Sequence, residues 1–443
     1  MTTTLANLRI ELSKQLGDYW SSTLTEAGTN KTIVDTILTE KTNDWISDAP
    51  QEQYALIVDG TYAGVERKAT SLDTSTGILT LNSSVGGTIA SGVTYEVHRL
   101  FSAAEKKRAL IYAARRGFPY IFNGVRDSSL TVGNWLRDPD FEWAWTTTAL
   151  NTYWVASVTT QYKYTTAPYY WRGDTSLRMT GAVGSVYQSN TQNPDLTELI
   201  GETVTFTMKK AWCNTASSLR LSIYDGTTTT YSSYHAGNSS VAELSVSATI
   251  ASTATQVKFA IHHDVISTTS YIDDARVTGP GRSKLYFGDV GLAWNMPHML
   301  EQSADADIED EPWQLLRNWE IGPDGYLYLY EGTDGYRLRV TGMGYLDFLA
   351  SGVSSTDWAA TINIDAPQTD ILIAEAIMYL YTQLVSPNYT SGERDNYIKI
   401  LQYWEAELDE RRAKFGMRPT AATVKWGLFG GGVSKSSYGK VNY

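Results

Sequence analysis

Side chains able to do chemistry are spread along this chain of 443 residues, and their spacing decides whether any of them form a centre. Asp305, Asp307, Glu309, Asp310 and Glu311 make a dense acidic run. It lacks the glycine and the closing glutamate with which an EF-hand loop surrounds calcium, so it reads as a solvated loop. His262 and His263 are adjacent, and adjacent side chains of a strand point to opposite faces, which disfavours a shared metal. Gly430–Lys435 has no glycine directly before Lys435 and no framing strand or helix, so it is not a phosphate loop. No Gly-x-Ser-x-Gly elbow occurs, and the tripeptide Arg172-Gly173-Asp174 recurs too often by chance to count as an adhesion motif. No catalytic centre emerges, and the expectation is a protein that is not an enzyme.

What remains is recognition by surfaces. The chain has 29 Tyr and 14 Trp against 10 Phe, a bias toward rings that combine apolar area with a polar handle. That bias suits interfaces and sugar stacking, and equally the ordinary packing of strands. A net charge of -12 argues against gripping a phosphate backbone. The single Cys213 excludes an intrachain disulfide framework. Met1–Asn7 lacks the charged start and apolar run of a signal peptide, and no stretch approaches the roughly 18 apolar residues of a membrane span. Assembly in a cytoplasm, with no membrane partner, is expected.

Several elements can be placed from pattern. Leu5, Leu8, Leu12 and Leu16 follow helical spacing up to Gly17. Tyr54–Val58, Gly64–Lys68, Ile78–Leu81 and Tyr95–Arg99 read as strands of a small β-barrel or meander. Ser102 and Glu105 form a capping box ahead of a helix that Gly117 ends. Tyr326–Tyr330 and Tyr336–Thr341 are expected to pair as a hairpin around Glu331–Gly335. Thr369–Val385 is apolar nearly all round, so it reads as a buried helix. A second helix, about Ser391 to Phe415, carries Tyr397, Leu401, Trp404, Leu408 and Phe415 on one stripe. The tail from Pro419, with Gly430–Gly432, reads as extended.

Between Asn134 and Gly279 stand Arg137-Asp138-Pro139-Asp140-Phe141-Glu142, Thr175-Ser176-Leu177-Arg178, Thr203–Met208, Leu219–Gly226 and Tyr271-Ile272-Asp273-Asp274-Ala275-Arg276-Val277. This stretch resembles the jelly-roll carbohydrate-binding modules appended to polysaccharide-degrading enzymes. The resemblance implies a structural calcium held by Glu142, Asp273 and the Asp140 carbonyl, although no cofactor is required for the reading. Calcium wants roughly six to eight oxygens, so backbone carbonyls and a residue near Asp174 or Ser176 would complete the shell. It also implies glycan binding by aromatic platforms. Alternation puts Leu219, Leu221 and Ile223 inward with Arg220, Ser222 and Tyr224 outward, and Lys258 and His262 outward beside Phe259 and Ile261. Trp212, Arg220, Tyr224, Tyr231, Tyr234 and His262 are the candidate glycan residues, with packing against the chain as the alternative for each aromatic.

The flanks, Tyr54–Gly60, Gly64–Lys68, and Tyr95–Arg99 leading into Phe101–Arg108, together with the terminal helix pair and tail, resemble head–tail adaptors (connector or neck proteins) of tailed bacteriophages. The expected fold class is multidomain α+β. A helical adaptor body with a small β-barrel or meander (1–132 and 281–418) carries an inserted all-β jelly-roll sandwich (133–280) and an extended tail (419–443). The resemblance implies a virion protein at the neck: a homo-oligomeric ring, commonly a dodecamer, beneath the portal protein and above a tail or nozzle protein. Genomic DNA would pass through it without sequence-specific binding. The displayed domain would meet tail fibres or host surface glycans. Asp305–Glu311 is expected near the channel, and the tail from Pro419 on the portal. Two alternatives remain: a tail or fibre-hub receptor binder, and a glycan-active enzyme with an accessory module.

Overall fold

A computed structural model describes residues 2–46, 52–143, 150–157, 160–281, 284–288, 290–304, 312–350, 353–385 and 394–417. Asp305–Glu311 and the tail from Pro419 lie outside these residues. The chain is mostly β and divides into two compact units, Met1–Asn123 with Tyr345–Arg418, and Gly124–Gly344. No helix among the described residues is long and apolar enough to cross a membrane.

The four α-helices among the described residues all belong to the first unit: α1 (Leu5–Gln15), α2 (Ala103–Arg116), α3 (Gln368–Val385) and α4 (Arg394–Phe415). The Thr4 hydroxyl caps α1 by accepting from the Asn7 amide at 3.1 Å, and Leu5, Leu8 and Leu12 are buried. The expected capping box of α2 is present, with Ser102 Oγ accepting from Glu105 N and the Glu105 carboxylate accepting from Ser102 N. Along α4 only Tyr397, Trp404 and Leu408 are fully buried, while Leu401 and Phe415 pack at the margin of the same core.

The small β-region is a barrel. Its order is Ser21–Thr23, Thr94–His98, Tyr54–Ile57, Glu66–Asp73, Ile78–Leu81 and Thr32–Val34, and a bridge between Glu26 and Val34 joins the first run to the last. Ser21–Thr23 and Thr32–Val34 were not expected as strands, because three residues are too few to show an alternation. Between barrel and helices lies a buried ionic network. Lys106 Nζ donates to Asp18 Oδ2, Ser13 Oγ and His98 Nδ1, each at 2.8 Å, while Arg9 makes two bonds to Glu96. Burial outweighs the nearby carboxylates and pushes His98 down to about 4, so the ring is neutral and can accept from Lys106.

The sandwich of the second unit has, among the described residues, ten strands: β1 (Val155–Ser157), β2 (Thr160–Tyr164), β3 (Ser176–Thr180), β4 (Gly184–Ser189), β5 (Thr203–Cys213), β6 (Leu219–Tyr224), β7 (Thr229–Tyr231), β8 (Val241–Thr249), β9 (Lys258–His263) and β10 (Thr269–Thr278). They form two antiparallel sheets, ordered β2-β3-β10-β5-β8 and β7-β6-β9-β4-β1. Leaving aside β1 and β2, successive connections cross between the sheets everywhere except at the β6–β7 hairpin. That wiring is a jelly roll. Leu221, Ile223, Phe259 and Ile261 from one sheet face Phe206, Met208, Ile272 and Val277 from the other, all fully buried.

The expected boundary at 280 moves. The sequence resemblance places residues 281–344 in the flanking body, yet they fall in the unit of the sandwich. Leu285, Phe287, Leu300, Leu327, Leu338 and Val340 are buried in one continuous core with the jelly roll. The expected hairpin around Glu331–Gly335 does not form. Leu327–Leu329 pairs with Trp319–Ile321 and Lys284–Leu285, whereas Arg337–Gly344 pairs with Pro297–Ser303 in a different sheet. Gly335 N instead donates to Val132 O, and Val132 N to Tyr336 O, both at 2.8 Å.

Candidate functional site: the outer faces of the jelly roll

The outward alternation of β6 is as expected: Leu219, Leu221 and Ile223 are fully buried, and Arg220, Ser222 and Tyr224 point away from the core. Register then decides which outward residues meet. Tyr231 lies opposite Ser222, Ser222 opposite Ala260, and Ala260 opposite Tyr187. Ser222 and Ala260 are each 1 % exposed and too short to rise above the sheet, so they floor a trough. Tyr231 and Tyr187 stand on either side of it, about 14 Å apart at three strand spacings.

The next row pairs Arg220 with His262 and His262 with Ser185. The Arg220 guanidinium lies 4.0 Å from the Tyr231 ring and 4.6 Å from that of Tyr234. It also forms a 2.7 Å ion pair with Asp264 Oδ2, to which the Tyr234 hydroxyl donates at 2.9 Å. His262 Nε2 and Ser222 Oγ share a hydrogen bond of 2.7 Å. Burial lowers the proton affinity of His262; Asp264 opposes this and Arg220 and Lys258 add to it, so the ring is neutral at pH 7. Lys258 Nζ sits 4.8 Å from the Tyr187 ring. Tyr224 stands at the trough's end and donates its hydroxyl to Gly226 O at 3.0 Å. Tyr231 and Tyr234 are 45 % and 39 % exposed, so each ring keeps surface open to a partner beside the Arg220 guanidinium.

Five of the six candidate glycan residues therefore share one face. Trp212 does not, because it lies on the other sheet. There Tyr162, Arg178, Tyr271, Trp212 and Val241 form one row across all five strands. Tyr169, from the connection between β2 and β3, lies over this row. It stacks on Tyr271 at 4.2 Å and 13° and meets the Trp212 ring edge-on at 5.0 Å. Trp212 Nε1 donates to Ser239 O at 2.8 Å, and Tyr271 is only 7 % exposed. These rings are occupied by the chain itself.

The same connection covers Asp273, two residues along β10 on the same face. Trp171 N and Arg172 N donate to Asp273 Oδ2 at 2.8 and 2.7 Å, and Asp274 N donates to Oδ1. Glu142 Oε1 accepts from Asp174 N and Thr175 N, each at 2.8 Å. Gly173 makes that approach possible, since its φ is +64° and a Cβ there would stand 2.2 Å from Glu142 Oε1. Asp140 is fully buried and neither carboxylate oxygen has a hydrogen bond. Arg172 Nε lies 3.8 Å from its carboxylate and the charge of Arg337 acts on it too, while Arg172 Nη1 holds Asp274 Oδ1 at 2.7 Å. Burial pushes both Asp140 and Glu142 up to about 7. Burial acts on Asp274 in the same sense, but Arg172 and Arg276 outweigh it and hold that carboxyl below its usual range.

Among the described residues no three Asp, Glu, His or Cys side chains converge as a metal-binding group. The expected calcium set is the Glu142 and Asp273 carboxylates with the Asp140 carbonyl; in this structure both oxygens of Asp273 and one oxygen of Glu142 accept from backbone amides, and the Arg172 guanidinium lies beside the Asp140 carboxylate. Sequence reasoning did not find Tyr187 and Asp264 as parts of the open face, and it turned Ser222 outward without making it a candidate. The alternation of β4 was a usable signal for Tyr187, but its pairing with Ala260 was not readable.

No protein-family model and no curated protein matches the chain. Among solved structures it is similar to a family 61 carbohydrate-binding module in complex with β-1,4-galactotriose, at 13 % identity and TM-score 0.25, covering 32 % of this chain and 97 % of that one. It is similar also to the CBM22-1 xylan-binding domain of Paenibacillus barcinonensis Xyn10C, at 14 % identity and TM-score 0.26, covering 36 % and 99 %. A third is the enzymatically active domain of bacteriophage CBA120 tailspike protein 4, at 10 % identity and TM-score 0.23, covering 34 % of this chain and 21 % of that chain. The jelly-roll assignment rests on the strand order and not on these likenesses.

Proposed function

We propose that this chain is a non-enzymatic binding protein whose jelly roll holds a polysaccharide along the trough of the β7-β6-β9-β4 face. The observation that carries this reading is the trough itself, a floor of Ser222 and Ala260 between Tyr231 and Tyr187, with Arg220, Tyr234 and His262 at its side. Sugar rings offer flat C–H faces and a rim of hydroxyls, which suit exposed tyrosines next to fixed polar groups. A polysaccharide array probed with the full chain, and then with Tyr231→Ala and Tyr187→Ala, tests it. Binding lost in both variants supports the trough, and binding unchanged in both removes it.

The remainder of the chain is proposed, from its sequence resemblance, to be a virion adaptor ring at the phage neck that displays this domain. The chain leaves the first unit after Asn123 and re-enters it at Tyr345, which supports an inserted domain. Negative-stain imaging of the full chain is the test: a ring with an axial hole is expected, and a monomer at high concentration overturns it.

A further inference from the structure

The trough carries cations and no free carboxylate. Among the charged or titratable outward positions of the five strands of this sheet are Arg220 on β6 and Lys258 and His262 on β9, with hydroxyl, tyrosine and apolar side chains at the others. None is Asp or Glu, in a chain with 48 acidic residues against 36 basic ones. Two carboxylates lie just beyond the strand ends: Asp264 after β9, engaged by Arg220 and the Tyr234 hydroxyl, and Asp225 after β6, engaged by the amides and hydroxyls of Thr227 and Thr228. The two cations stand at opposite ends of the trough. Arg220 is opposite His262, and Lys258 is opposite Tyr224, four residues along the strand and so about 13 Å away. Both act on His262, which shares the Arg220 row, and each disfavours its protonated form.

A neutral glycan presents hydroxyls that need acceptors as well as donors, and this face is short of strong acceptors. A chain that brings its own carboxylates matches it better, because charge-assisted bonds to Lys and Arg are the stronger kind. We infer that the trough selects a polysaccharide bearing carboxylates along its backbone, a polyuronate, held by Lys258 and Arg220 at its two ends. This rests on the glycan reading above and narrows it to one class.

The test uses the full chain in affinity gels or titration calorimetry, with polygalacturonate and alginate as probes. Fully methyl-esterified polygalacturonate has the same backbone without the charge, and polyglutamate has the charge without the sugar. Binding to a polyuronate is expected, weakened about tenfold by esterification and steeply by added salt. Lys258→Glu should remove the preference over the ester, with Lys258→Gln intermediate and both variants melting like the parent. Equal binding to polyglutamate, equal binding to the ester, or a preference unmoved by Lys258→Glu overturns the inference. Binding confined to neutral polysaccharides overturns it too, while leaving the glycan reading in place. No binding to any polysaccharide, neutral or acidic, removes both.

Discussion

The two outer faces of the jelly roll use the same residue types to opposite ends. On one sheet Tyr162, Arg178, Tyr271 and Trp212 form a row, and Tyr169 closes over it. On the other, Tyr231, Ser222, Ala260 and Tyr187 form a row with short residues in the middle, and the rings of Tyr231 and Tyr234 keep open surface. The difference lies in the connection between β2 and β3. Tyr169 satisfies the ring faces of Tyr271, and the amides of Trp171 and Arg172 satisfy Asp273. A strand of aromatics is thus a binding platform only where no segment of its own chain lies over it. Composition cannot report that.

If the comparison is right, variants of the closed face lose stability and keep binding, whereas variants of the open face do the reverse. The largest effect is expected for Arg172→Ala, which leaves Asp140 and Asp274 buried without that cation. Removing one partner of a buried pair costs about 3–5 kcal/mol, and urea unfolding measures it. In the parent, chelation by EDTA should leave the same curve unmoved, because Arg172 supplies the positive charge; a large shift would show that a metal does. Tyr271→Ala comes next, at about 3 kcal/mol by analogy with other buried aromatics, with glycan affinity of the folded protein unchanged. A loss of affinity in that variant would break the comparison, since it would make the closed face a binding face.

Tyr231→Ala is expected to weaken polysaccharide binding about tenfold, equivalent to about 1.4 kcal/mol, while its stability stays within about 0.5 kcal/mol of the parent. The smallest effect is a pH dependence. His262 has a folded-state proton affinity below its ordinary 6.5, mainly through burial. Its contribution to stability is therefore complete above that pH and is lost as the pH falls below it. His262→Gln should flatten this acid-side loss slightly, and a steeper loss would show that the ring is protonated in the folded protein.

Parts of this were legible in order. The capping box at Ser102 and Glu105 placed α2, because both partners lie within one turn. The alternation in Leu219–Tyr224 oriented β6, because a strand's period of two needs no partner to be read. Trp212 shows the limit. Alternation carried on from Phe206 and Met208 would turn it inward, and neither the β-bulge between Met208 and Ala211 that turns it outward, nor its sheet, nor the ring of Tyr169 beside it was readable. Residues 281–344 show the same limit at larger scale, since their apolar residues could have filled either core.

By itself the sequence determined which side chains of β6 turn outward and where α2 begins. These depend on intervals of two to four residues. The tertiary structure alone decided that Tyr231 faces Tyr187 across Ser222 and Ala260, that Arg172 stands beside Asp140, and that Tyr169 closes one face and leaves the other open. Each of these joins residues from separate strands or connections. Such contacts are set by strand register and by where a connection lies, and neither leaves a periodic mark in the chain.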